Sequence, residues 1–115
     1  IIMYVYGIIA NVEDYWGTTH VLVGIKSSEQ LALKGLKEEQ KSFCDDTKLE
    51  IKRFRVDKKE DCYIVVSEYE DAGAYFNDFL HLTTSEKKAN GWKKNAENRK
   101  MHYNLKVLKY IVENG

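Results

Sequence analysis

Proline is absent from the 115-residue chain, which argues against proline-rich linkers and fits a succession of regular elements. Cysteine is scarce. Cys44 and Cys62 form neither a metal-ligand spacing nor a disulfide framework, so a reducing cytoplasm is the expected compartment and no metal or cofactor is expected. No apolar run reaches the length of a membrane span, so no membrane association is expected. The opening Ile1–Ala10 stretch lacks a charged leader and a cleavage site, and reads as a buried strand. Asn-x-Ser/Thr acceptors are missing, as are the P-loop, GxGxxG, GxSxG and HExxH motifs, and His20, His81 and His102 are scattered. A non-enzymatic protein is the expectation. The residue order shows no internal repeat and no low-complexity stretch.

Net charge is also lacking, with 18 basic and 18 acidic residues, but the charges are segregated. Glu60 to Glu86 holds seven acids (Glu60, Asp61, Glu68, Glu70, Asp71, Asp78, Glu86) and no Lys or Arg. Lys87 to Lys109 holds eight bases and one acid, Glu97. Either the blocks face each other, or the basic one receives an anion. A neutral domain is expected to bind long nucleic acid weakly, because that affinity grows with the phosphates neutralised. A small anion site is easier to reconcile with neutrality. The acidic block at 60–86 offers a second reading, in which an acidic surface occupies the basic groove of a nucleic-acid-binding partner.

The chain is read as a single domain over residues 1–115, with a sheet-plus-helix part (1–70) and a helical C-terminal section (71–115). Residues 2–11 make a central strand, with Met3, Val5 and Ile9 on one face and Tyr4, Tyr6 and Ile8 on the other. Val21–Ile25 makes a second, antiparallel strand. Ser27 with Gln30 fits a capping box, opening a helix whose apolar stripe is Ala32, Leu33, Leu36 and Phe43. Strands at 49–56 and 63–69 read as a hairpin. A short helix is expected over 72–82 with Tyr75, Phe76, Phe79 and Leu80 inward, then a capping box from Thr83 to Glu86. Asn90-Gly91 marks a stop or kink. A helix is expected from about Trp92 to the end, its stripe being Met101, Leu105, Leu108 and Val112. The fold class is therefore α+β: a four-stranded, mainly antiparallel β-β-α-β-β sheet with a packed helix and a helical C-terminal section. The wide terminal stripe suggests a homo-oligomer, most simply a dimer.

Candidate ligand-binding residues follow from chemistry. Trp16 lies in a short aromatic loop that either lids the sheet or stacks on a planar ligand. Along 49–56 the apolar face switches sides between Ile51 and Phe54. Either a bulge resets the alternation, or Arg53 and Arg55 project from the face bearing Leu49 and Ile51 and call for an anion. Trp92 sits among lysines beside the Asn90-Gly91 break. A ring and nearby cations suit a base and its phosphate, although a core-facing Trp with solvated lysines outside has the same pattern. Arg99 completes the set.

The order of elements carries a resemblance. An aromatic opening strand and a short aromatic loop lead through a second strand into Gly24-Ile25-Lys26-Ser27-Ser28-Glu29 and a capped helix. A strand pair ending in Val65-Val66-Ser67-Glu68-Tyr69 follows. Over roughly residues 3–70 this resembles small phage and prophage proteins that act against host defence, nearest in size and layout to the Thoeris anti-defence sponges of the first type. The resemblance implies a homo-oligomeric, non-enzymatic protein of the host-cell cytosol. Such a protein sequesters a nucleotide-like signal, of the cyclic ADP-ribose or cyclic oligonucleotide type, in pockets built partly from C-terminal helices.

Overall fold

Alternating apolar residues on both faces place β1 (Met3–Asp14) at the centre of a sheet. The computed structural model describes residues 2–14, 17–44, 46–71, 74–100 and 104–114. β1 pairs antiparallel with β2 (Gly17–Lys26), as expected, and on its other side with β3 (Lys48–Val56). Between β2 and β3 lies helix α1 (Glu29–Gln40). Its N-cap is Ser28 rather than Ser27, the Ser28 hydroxyl accepting from the Leu31 N–H at 3.2 Å. The expected stripe is shifted as well. Ala32 and Gly35 are the buried positions, Leu33 is 48% exposed, and Phe43 lies past the helix end.

The second half departs from expectation. β3 and β4 (Cys62–Asp71) are not a hairpin but belong to different sheets. The segment expected to be a helix over 72–82 is strand β5 (Ala74–Thr83), paired antiparallel with β4. An extra residue at the bulge, Leu80, resets its alternation so that the apolar positions imitate helical spacing. Helix α2 (Glu86–Asn98) follows, capped by Ser85 rather than Thr83, and runs through Asn90-Gly91. It stops at Arg99, and Lys100 turns left-handed with φ of 54°. The expected terminal helix is strand β6 (Leu105–Tyr110), paired antiparallel with β4, and the short β7 (Val112–Glu113), parallel to β2. Met101 lies outside the described residues, and the rest of the stripe from which self-association was expected is spread over two strands.

Among the described residues there are thus seven strands and two helices, with a mixed sheet of order β3-β1-β2-β7 and a second of order β5-β4-β6. The expected single four-stranded sheet is two sheets. No helix among the described residues is long and apolar enough to cross a membrane. The inner faces of the sheets meet in one core built from Val5, Ile9, Leu22, Ile25, Val56 and Val112 against Cys62, Ile64 and Val66. Phe54 and Phe79 meet edge-on across it, ring centroids 5.5 Å apart. α1 covers the outer face of the first sheet. α2 covers the outer face of the second, setting Ala89 and Ala96 over Val65 and Leu105.

This layering explains the face switch in β3. Its register with β1 is continuous, so there is no bulge. Leu49 and Ile51 face out toward α1, and Phe54 and Val56 face in toward the second sheet. Arg53 and Arg55 share the outer face with Leu49 and Ile51 and are exposed.

The two halves are copies of one ββαβ unit, correcting the expectation that no repeat exists. Tyr6–Lys26 in the first half corresponds to Tyr63–Thr83 in the second, Ile8–Gly24 to Val65–His81, Ile9–Leu22 to Val66–Phe79 and Asp14–Gly17 to Asp71–Ala74. The offset is 57 residues in each of these pairs, and the bulge falls at the same place in both. N-caps Ser28 and Ser85, first helical residues Glu29 and Glu86, and buried Ala32 and Ala89 match too. In each unit the third strand pairs with the first.

The same face of each unit packs on its twin, a geometry that requires an approximate two-fold axis. Each third strand then ends at the other unit. β7 lies on the end of β2, and the Ser27 N–H donates to the Glu113 carbonyl at 3.0 Å. In the mirrored place the Thr84 hydroxyl donates to the Asp57 carboxylate. Val112 and Val56 occupy matching core positions.

Gly7 stands where the twin has Ile64, and Phe54 fills the space: a Cβ on Gly7 would come 2.9 Å from the Phe54 ring and 3.0 Å from Leu22. Gly7→Val is expected to cost about 1–3 kcal/mol by overpacking, read as a lower urea midpoint, with Phe54→Leu recovering part of it. The two-fold arrangement also predicts that a circular permutant opened between Asp57 and Lys58, with its old ends joined by a short Gly/Ser linker, unfolds in one cooperative transition.

Candidate functional site

Along a helix, residues at i, i+4, i+7 and i+11 share one side. In α2 these are Lys88, Trp92, Asn95 and Arg99, and they lie on the flank that borders β5. The Trp92 indole stacks on the His81 imidazole of β5 with centroids 5.1 Å apart and planes 4° from parallel. Trp92, Asn95, Ala96 and Arg99 line a cavity of about 280 Å³. At the other end of the flank, Lys88 meets Arg55, Thr83, Thr84 and the Asp57 carboxylate around a second cavity of about 450 Å³. The chain therefore sets a cation pair, an aromatic pair, an amide and a cation in one line. Lys88 and Arg99 are separated by roughly 16 Å of helix rise.

Three of the six sequence candidates, Arg55, Trp92 and Arg99, come together on this flank. Asn90 lies on the opposite side of α2, in a groove of about 570 Å³ with Lys93, Lys106 and Lys109. Arg53 sits on the outer face of the first sheet with its guanidinium 4.2 Å from the Tyr4 ring centroid, so its partner is an aromatic face. Trp16 lies outside the described residues. Sequence reasoning missed His81, Lys88 and Asn95 as members of the site. Lys88 and Asn95 were visible as a helical row once α2 begins at Glu86. His81 carried no signal, because a strand there was not expected.

The charge blocks resolve into two populations. Part of the basic block is answered internally: Lys106 binds Glu68 at 2.6 Å, Lys109 binds Asp61 at 3.2 Å and Lys93 binds Glu97 at 3.7 Å. Among the described residues, Lys88, Arg99 and Arg55 have no carboxylate within 4 Å. Glu60, Asp61 and Glu86 line one cavity of about 380 Å³ together with Asp57 and Lys58, while Glu68 and Asp78 lie on β4 and β5. Ser67 and Glu68, opposite Asp78 and Asn77, alternate between the faces of the second sheet. Asp78 accepts from the His20 N–H at 2.9 Å, and Glu60 lies 3.4 Å from Lys58.

Burial pushes the Cys62 thiol up to about 11, with nearby Asp61 adding to the effect, so it stays protonated and carries no thiolate nucleophile at neutral pH. Burial also pulls His81 below its ordinary value of 6.5, which keeps a neutral ring against Trp92. Among the described residues no group of His, Cys, Asp and Glu is arranged to hold a metal ion. No protein-family model, curated protein or solved structure matches the chain.

The His81 shift fixes a sign. The unfolded chain takes up the imidazole proton more readily than the folded one, so stability falls as pH drops below 6.5 toward the lower folded value. Thermal melts from pH 7.5 to 5 are expected to show this loss, and His81→Gln to flatten it. Asp57, held below its ordinary 3.8 by the Thr84 hydroxyl, contributes only in a more acidic window.

Proposed function

We propose that this protein is a non-enzymatic binder that captures a small nucleotide-like anion on the β5 flank of α2. The observation that carries the reading is the line of Arg55, Lys88, the His81–Trp92 pair, Asn95 and Arg99. A nucleotide needs a flat surface for its base, an amide for base edges and cations for phosphate, and this flank offers all three. Guanidinium groups suit phosphate because their forked N–H donors match its oxygens. Lys88 and Arg99 are exposed at the two ends and, among the described residues, neither has a carboxylate within 4 Å, although Asp57 in the Lys88 cavity offsets part of that charge.

Capture needs no general base and no nucleophile. A binder present in excess lowers the free concentration of a signalling molecule without altering it. The resemblance to anti-defence sponges suggests the setting: a phage-type protein in the host-cell cytosol, sequestering a cyclic ADP-ribose or cyclic oligonucleotide signal to silence host immunity. A homo-oligomer belongs to the same reading.

A calorimetric screen against mononucleotides, cyclic nucleotides and ADP-ribose derivatives tests it. A tight ligand also raises the melting temperature in proportion to the logarithm of concentration over Kd. Trp92→Ala is expected to weaken binding by about 1–3 kcal/mol, roughly 5- to 150-fold. Arg99→Ala should weaken it similarly, and the ligand should be recovered unchanged by mass analysis. Unaltered affinity in both variants sinks the site, and product formation on long incubation sinks the non-enzymatic reading.

A further inference from the structure

Resting on the nucleotide-capture part of that reading and replacing its cyclic ligand, we infer that the ligand is a short linear single strand with phosphates toward both ends of the flank, held once per chain. The two cationic ends are distinct. Arg55 of β3 and Lys88 of α2 converge on the 450 Å³ cavity, whose one acid, Asp57, accepts from the Thr84 hydroxyl and leaves the two cations in excess, while Arg99 borders the 280 Å³ cavity beside Trp92. Between Lys88 and Arg99 the helix rises roughly 16 Å. The phosphate of one mononucleotide stacked at Trp92 reaches one of these ends and leaves the other unused. A strand stacked at about 3.4 Å per nucleotide fills that span with about five nucleotides, or fewer if stretched. The end residues Arg55, Lys88 and Arg99 are all exposed, so the chain can run past them, and the aromatic pair sits between the ends as a stacking platform tolerant of base identity.

The internal duplication argues for one site rather than two. The twin positions of Lys88, Trp92, Asn95 and Arg99 are Leu31, Gly35, Glu38 and Ser42, and His81 is matched by Gly24. The first unit therefore has no ring pair, no cation row and an acid where the second has an amide. Its helix also sits close on the sheet: a Cβ on Gly35 would lie 2.9 Å from Ile8 and 3.1 Å from Lys26. The two units share their frame and differ in chemistry on this flank, so the twin flank binds no such strand.

Calorimetry with 5′-phosphorylated oligonucleotide ladders of each base, from one to six nucleotides, tests the inference. Affinity is expected to rise at least 10-fold from the mononucleotide to the pentamer and then level, with one site per chain. Three phosphate contacts give a slope of about −2 in log K against log salt for the pentamer. Arg99→Ala and the Arg55→Ala/Lys88→Ala pair should each cut pentamer affinity several-fold and flatten the length dependence, with circular dichroism unchanged because all three residues are exposed. Two sites per chain, affinity already maximal for the mononucleotide, or tighter binding of a cyclic trinucleotide than of its linear counterpart overturns the inference and leaves nucleotide binding standing. If wild type binds no mononucleotide, cyclic nucleotide or ladder member, nucleotide binding itself falls, and the inference with it.

Discussion

Two equivalent apolar faces packed on one another are the constraint from which the rest of the molecule follows. Val5, Ile9, Leu22, Ile25 and Val112 of the first sheet and Cys62, Ile64 and Val66 of the second exclude water together. Burying a single Val or Ile side chain is worth about 1.5–3 kcal/mol, against a net stability of only about 5–15 kcal/mol for a whole domain. Because the same face meets itself, the units sit about a two-fold axis, and each third strand reaches across to the other unit. The helices are thereby forced to the outside, one on each outer face.

That forced position is what makes α2 useful. A helix on an outer face buries one row and offers two flanks to solvent. In α2 the buried row is made of small residues, Ala89 and Ala96, while Trp92 reaches sideways onto His81. The β6 flank carries lysines partly answered by Glu68, Asp61 and Glu97. On the β5 flank Asp57 stands in the Lys88 cavity, and neither Lys88 nor Arg99 has a carboxylate within 4 Å among the described residues. Charge segregation along the chain is thus two separate things in space: ion pairs that tie β6 to β4 and α2 to itself, and a cationic line on the opposite flank. Exposed pairs of the first kind contribute little to stability, about 0–1 kcal/mol each, so their main effect is to remove charge from that side.

The first three strands and α1 were legible because their signals are local. A two-sided apolar strand, a strand of period two and a serine cap each depend on a few neighbouring residues. β5 and β6 were not. In β5, aromatic residues around a one-residue bulge fall at spacings that also suit a helix. In β6 and β7, Leu105, Leu108 and Val112 do the same, although Val107 and Val112 are β-branched and favour strands. Only pairing with β4 and β2 decides between the two readings. The site shows the same split. Arg55, Trp92 and Arg99 could be chosen by residue type, but Arg53 could not be set aside until Tyr4 was seen beneath it. His81 could not be included until β5 was a strand facing α2.

By itself the sequence determined the mixed α+β class, the first strands and helix, and the surplus of cations after residue 86, because these depend on composition and on spacing within one element. Tertiary structure alone decided that the chain is a duplicated unit, since the halves share strand register and bulge position while few of their side chains coincide. It also decided which cations stand together. Residues 55, 81 and 88–99 lie in three elements of different sequence distance, and they meet only because a shared core turns both sheets inward and leaves β3, β5 and α2 to converge at one corner.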